Sequence, residues 1–99
     1  EFKSCLLEKN IILIDLREQG EVDKVGRIEN STRVSFPEIN DYLNKNKNML
    51  QNKKILFYCA IGQRSTLAVQ ISKSYQYEKC LHLIGGLKSW KYAGLGLVK

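Results

Sequence analysis

The chain has 99 residues, 43% hydrophobic and 26% charged, with a formal net charge of +6. That length fits one domain of ordinary size and no second core, the apolar share argues against disorder, and no stretch approaches the roughly 18–20 apolar residues of a membrane span. Its 16 Lys and Arg are scattered from Lys3 to Lys99 with no run longer than Lys53-Lys54, a pattern that suits small anions or acidic partners and not the concentrated basic face of a nucleic-acid binder.

Taken in chain order, Cys5 falls in an expected first helix, and Ile11-Ile12-Leu13-Ile14 is the first of three four-residue apolar runs. Ser35-Phe36-Pro37-Glu38 reads as a capping box with Pro in the first helical turn, followed by Ile39, Tyr42 and Leu43 at helical spacing. The Asn/Lys segment 44–48 reads as a solvated helix end or loop. Ile55-Leu56-Phe57-Tyr58 is the second run, and Leu67, Ala68, Ile71 and Tyr75 then predict an amphipathic helix over about 65–76. Leu81-His82-Leu83-Ile84 is the third run. After Gly85-Gly86 a last helix carries Leu87, Trp90 and Ala93 and ends at Gly94. Near-continuous apolar runs suit parallel strands covered on both faces, so alternation with helices predicts an α/β fold around a mainly parallel sheet.

Three cysteines, at positions 5, 59 and 80, are too few and too odd in number for a disulfide framework. No CxxC occurs and the single histidine, His82, has no cysteine at zinc spacing; no metal site is expected. The chain opens without Met and without a charged-then-apolar leader. It is expected to be a single domain over 1–99, processed or part of a longer chain, with the compartment left open and the cytoplasm favoured.

The chemistry concentrates in Cys59-Ala60-Ile61-Gly62-Gln63-Arg64-Ser65. Cys59 is the first residue past a predicted strand end, where open α/β sheets bind ligands. A tight loop running into a helix start presents successive amide N–H groups to an anion. Gly62 permits the curvature, and Arg64 adds a permanent cation. Such surroundings lower a thiol from about 8.5 to values of roughly 3.5–7.5, which makes Cys59 a candidate nucleophile and not an inert buried cysteine. Ser65 and Thr66 either cap the helix or hydrogen-bond the sulfur.

This loop resembles the active-site loop of rhodanese-like domains, C-x-x-G-x-R-[ST]. Ile14-Asp15-Leu16-Arg17-Glu18 resembles that family's first strand and D-x-R signature. Gly26-Arg27-Ile28-Glu29-Asn30-Ser31 stands where G-H-I-x-G-A is usual, with Phe36-Pro37 after it, and residues 85–94 resemble its closing G-G-x-x-x-W-x-x-A-G. Arg27, Asn30 and Ser31 depart from the second motif. Ala60 stands where many thiosulfate-using members carry a basic residue. Cysteine-dependent phosphatases use C-x5-R, whereas here four residues separate Cys59 from Arg64, so phosphatase activity is disfavoured.

The resemblance implies a three-layer α/β/α sandwich and a sulfurtransferase. Cys59 is implied as nucleophile and sulfur carrier, residues Ala60, Ile61, Gly62, Gln63, Arg64 and Ser65 as the substrate cradle with Arg64 as anion binder, and no metal or organic cofactor is implied. The expected partners are a small anionic sulfur donor, a thiol or cyanide-type acceptor and a protein acceptor, with no nucleic acid and no membrane. Asp15 and Arg17 are expected to brace the loop, since a carboxylate beside the thiolate would raise its pKa. Cys5 and Cys80 are read as core or surface residues, Trp90 as a core anchor, and His82 as a structural or solvent-facing strand residue. Two other readings stay open: a non-catalytic or regulatory module, and a persulfide relay within a larger protein.

Overall fold

A computed structural model describes residues 2–99. The elements run α1 (Phe2–Cys5), β1 (Ile11–Asp15), α2 (Gln19–Val25), β2 (Thr32–Arg33), a 3-10 turn at Phe36–Glu38, α3 (Ile39–Lys45), α4 (Lys47–Leu50), β3 (Lys54–Tyr58), α5 (Gln63–Ser74), β4 (Cys80–His82) and α6 (Gly86–Tyr92). The four strands form one parallel sheet in the order β2-β1-β3-β4. The chain moves from β1 to β2 on one side and returns to place β3 on the other. The carboxyl ends of β1 and β3 therefore flank a topological switch point, where ligands of open α/β sheets bind.

Side-chain alternation divides the core. Ile55, Phe57 and Cys59 face a cluster with Ile39 and Leu43 of α3, Leu50 of α4 and Ala68 of α5. Leu56 and Tyr58 face the opposite cluster, with Phe2 and Cys5 of α1 and Leu87 and Trp90 of α6. Helices thus cover both faces, and the expected α/β/α sandwich around a parallel sheet is the observed one. Trp90 anchors the second cluster as expected: its ring meets Phe2 edge-on at 6.4 Å and its indole N–H donates to the Gly96 carbonyl at 3.0 Å.

Several local expectations are corrected. Ser35 does not cap a backbone amide; its hydroxyl donates to Glu38 Oε1 at 2.6 Å, and a 3-10 turn precedes α3. A Glu18–Glu21 arrangement fills the capping role elsewhere, where the Glu18 amide donates to Glu21 Oε1 at the start of α2. The third apolar run forms β4 over Cys80–His82 and not a strand over 81–84, because Gly85, at φ +79°, turns the chain toward α6 and leaves Ile84 80% exposed. Helix α5 starts two residues earlier than expected, at Gln63, and buries Ser65, Ala68 and Ser72 while Leu67 faces out. Ala93 is likewise exposed.

Candidate active site

Cys59 follows the last residue of β3, and Gly62 makes the turn behind it possible. Gly62 has φ +103°, a left-handed conformation that L side chains resist, and a Cβ there would lie 3.2 Å from the Gly85 nitrogen. That turn aims two amides at the sulfur: Gly62 N–H donates to Cys59 Sγ at 3.1 Å and Ser65 N–H at 3.4 Å. The thiol itself points at Ser65 Oγ, 3.7 Å away. Burial pushes the Cys59 thiol up. The Ser65 amide and hydroxyl and the Gly62 and Arg64 amides, which favour the thiolate, outweigh it and hold the thiol below its ordinary value. Thr66 does not reach the sulfur; its hydroxyl donates back to the Gly62 carbonyl at 2.8 Å.

Cys59 is fully buried, a feature the sequence does not announce. The loop borders a mouth, a cavity of about 410 Å³ lined by Ala60 and Ile61 and by Lys24, Lys88 and Lys91, with Cys59 itself behind the lining. Ile61 is 54% exposed there. Gln63 lies on the surface at the start of α5. Of the predicted cradle, the loop thus presents Gly62 and Ser65 to the sulfur and Ala60 and Ile61 to the mouth.

The Arg64 guanidinium is held by Glu21 of α2, with Nη1–Oε1 at 2.9 Å and Nη2–Oε2 at 3.0 Å. This two-bonded fork raises Arg64 above its usual value and draws Glu21 down to about 2. The Arg64 amide favours the thiolate, and its guanidinium, while held by Glu21, also interacts with the Cys59 sulfur. Glu21 was not singled out from sequence, and its only local signal is its place three residues after Glu18.

Asp15 and Arg17 are both buried and form a closed pair. Arg17 Nε donates to Asp15 Oδ1 at 2.9 Å, Nη2 donates to Oδ2 at 2.7 Å and to the Gly26 carbonyl at 2.7 Å. Tyr58 adds its hydroxyl to Asp15 Oδ2 at 2.7 Å, and its ring lies 5.6 Å beneath the Arg17 guanidinium. Burial, with Asp15 beside it, pushes the Tyr58 phenol up to about 12, which keeps it a neutral donor. The pair braces Tyr58, the residue before Cys59, and so supports the loop at one remove.

The Gly85-Gly86 pair seats α6 on this loop. Leu87 N–H donates to the Cys59 carbonyl at 2.9 Å and Lys88 N–H to the Ala60 carbonyl at 3.0 Å. Three further candidate residues lie outside the loop. His82 Nδ1 lies 3.1 Å from Ser65 Oγ, a contact hidden from sequence because β-strand register creates it. Cys5 and Cys80 are buried, free thiols in opposite core clusters, and Cys80 donates to the Tyr77 carbonyl. Among the described residues no group of three or more His, Cys, Asp or Glu is disposed to hold a metal, and no helix is long and apolar enough to cross a membrane.

Comparison with known proteins adds a family. The rhodanese-like domain profile matches residues 1–93. The chain is 30% identical to the mouse thiosulfate sulfurtransferase/rhodanese-like domain-containing protein 3 over 91% of its own length and 64% of the relative's. It is 32% identical to the tRNA uridine(34) hydroxylase of Rickettsia prowazekii over 88% of its length, but spans only 36% of that enzyme. Among solved structures, a Rhodopseudomonas palustris protein of unknown function, described as a possible tyrosine phosphatase, superposes with a TM-score of 0.84 at 27% identity, covering 96% of this chain and 74% of that one. With a family match over nearly its whole length and a cysteine loop built at the sheet's switch point, the chain belongs to the rhodanese-like domain family.

Proposed function

We propose that the chain is a sulfurtransferase that carries a sulfane sulfur on Cys59. The observation that carries this reading is the sulfur of Cys59 receiving the Gly62 and Ser65 amides at 3.1 and 3.4 Å. Donors so placed stabilise negative charge on the Cys59 sulfur, in the manner of an oxyanion hole. In the first half-reaction the thiolate lone pair attacks the outer sulfur of thiosulfate or of a persulfide donor. The donor S–S bond breaks, sulfite or a thiolate departs with the bonding pair, and Cys59 becomes a persulfide. In the second, cyanide or a thiol attacks the outer sulfur and Cys59 leaves as thiolate, a ping-pong scheme.

Because Cys59 is fully buried, the loop opens as the donor enters. The lysine rim supplies attraction for anionic donors and for acidic surfaces of a protein acceptor. A second reading draws on the Rickettsia hydroxylase, which is nearly three times longer than the matched region: here the domain serves as one part of a larger enzyme and hands its sulfur to a dedicated partner.

Intact mass after incubation with thiosulfate tests the first reading. Wild type is expected to gain about 32 Da, one sulfur atom lost again on reduction, and Cys59→Ser, folded but far less nucleophilic, is expected to gain nothing. An adduct on Cys59→Ser would falsify the assignment. Uptake only from protein or low-molecular-weight persulfides favours the second reading.

A further inference from the structure

We propose that His82 is a positioning residue for the Cys59 sulfur, holding through the Ser65 hydroxyl the proton that the thiol gives up. The inference rests on Cys59 being the sulfur carrier and adds a group that carrier reading does not need. His82 reaches the site by register. It pairs with Phe57 across β3 and β4, and alternation puts Cys80, His82, Phe57 and Cys59 toward the same side of the sheet. Helix α5, on that side, brings Ser65 between them. Ser65 is fully buried, with its Oγ 3.7 Å from Cys59 Sγ, 3.1 Å from His82 Nδ1 and 3.2 Å from the Gly62 carbonyl.

A serine hydroxyl has one proton to donate and two lone pairs to accept with. The same heavy atoms therefore support two proton arrangements. In one, the thiol donates to Ser65 Oγ, and the hydroxyl donates to a neutral Nδ1 or to the Gly62 carbonyl. In the other, the sulfur is a thiolate, the Ser65 hydroxyl donates to it, and a protonated Nδ1 donates to Oγ. Passing between them moves the sulfur's proton to Oγ as the hydroxyl's own proton moves to Nδ1. No electrons change hands. His82 is only partly buried, and the residue also borders an apolar groove of about 330 Å³ beside α1 and α6.

The charges around His82 permit this. On α5 the neighbouring Arg64 turns its guanidinium to Glu21. From α1, Lys3 lines the same groove, and α6 contributes Ser89, Trp90 and Ala93, none of which titrates near neutrality. Cys80, two residues earlier on β4, donates its thiol to the Tyr77 carbonyl. Cys59 is thus the titrating group that His82 meets through a hydrogen-bond chain. A His82 that was only structural could bond Ser65 in either tautomer with no regard to the state of the sulfur.

His82 is the chain's single histidine, so its ring signals in 15N-labelled protein need no assignment. The test follows the His82 titration by NMR in reduced wild type, in wild type carboxamidomethylated at Cys59, in Cys59→Ala and in Ser65→Ala. In parallel, the pH dependence of Cys59 alkylation is read by mass in wild type and His82→Gln. The His82 midpoint is expected to be highest in reduced wild type and lower in the other three, because only there can a thiolate face the imidazolium through Ser65. Alkylation of His82→Gln is expected to move up by about half a pH unit, roughly a threefold loss of thiolate below the midpoint. Coincident His82 titrations in reduced and carboxamidomethylated wild type overturn the relay. If thiosulfate still adds sulfur to Cys59 in that case, the carrier reading stands without it. If the titrations differ but no sulfur is ever taken up, the relay stands and the carrier reading falls.

Discussion

Arg64 and Glu21 lie 43 residues apart yet meet in a two-bonded fork, and the pair has a testable pH signature. The Glu21 carboxyl is lowered from 4.5 to about 2 by the Arg64 hydrogen bonds, against the opposing effect of burial. A depressed carboxyl contributes stability that is complete above its unfolded value and is lost as pH falls through the folded one. Glu21→Gln removes that contribution at every pH. The side chains are 30% and 37% exposed, so solvent screening limits the pair to about 1 kcal/mol, or roughly 4–8 °C in Tm for a domain of this size. Thermal unfolding should therefore show a gap between wild type and Glu21→Gln that is constant above pH 5 and closes as the pH falls from 4.5 toward 2; a gap that widens in acid would contradict the pairing. Cys59 was legible in the sequence because a strand end, a glycine and a helix start surround it locally. Glu21 and His82 were not, because their contacts exist only after strand register and helix placement are set, and nothing in a linear pattern encodes that.

The α6 start shows what a doubled glycine does for an element. At Gly86, φ is +64° and a Cβ would come within 2.6 Å of the Cys59 carbonyl oxygen and of the Ala60 carbonyl carbon and oxygen. These are backbone atoms and cannot swing away. Gly94, past the end of the same helix, also has a left-handed φ of +79°, but a Cβ there meets nothing within 4 Å. Gly94→Ala should then cost only conformational strain, about 1 kcal/mol, whereas Gly86→Ala adds overpacking and totals roughly 2–4 kcal/mol. Denaturant unfolding of the two variants separates the terms, and equal losses would show that contact with the loop contributes nothing. The sequence revealed that a helix begins after Gly85-Gly86; it could not reveal that the helix begins against the cysteine loop. Similarly, β2 has two residues, too short to carry a period, and pairs with β1, and the Ser35 capping box lost to a 3-10 turn in which the hydroxyl bonds the Glu38 carboxylate.

At the scale of the molecule, the order β2-β1-β3-β4 gathers the site from distant segments. β1 delivers the Asp15–Arg17 pair, β3 delivers Cys59, β4 delivers His82, and Tyr58 locks β1 to β3 by donating to Asp15. The fold class was readable because three apolar runs alternate with helical stripes. The pairing of the strands was not, since each run fits any sheet position equally well. The charge distribution carries a further expectation. A net charge of +6 with Lys24, Lys88 and Lys91 at the mouth attracts anions over about one Debye length, roughly 10 Å at 0.1 M salt and 3 Å at 1 M. Sulfur uptake from thiosulfate should slow severalfold as ionic strength rises across that range, while alkylation of Cys59 by uncharged iodoacetamide should stay level. Parallel slowing of both would mean that salt acts on the fold and not on the approach of the donor.

The two hydrogen bonds from Leu87 and Lys88 to the carbonyls of Cys59 and Ala60 have a dynamic consequence. Exposing the sulfur by lifting Ala60 pulls on the first turn of α6, so uncovering the thiol and fraying that helix are steps of a single local opening. The amide protons of Leu87 and Lys88 then exchange with solvent at the frequency with which the site opens, and two spectators on a neighbouring helix keep time for the cysteine.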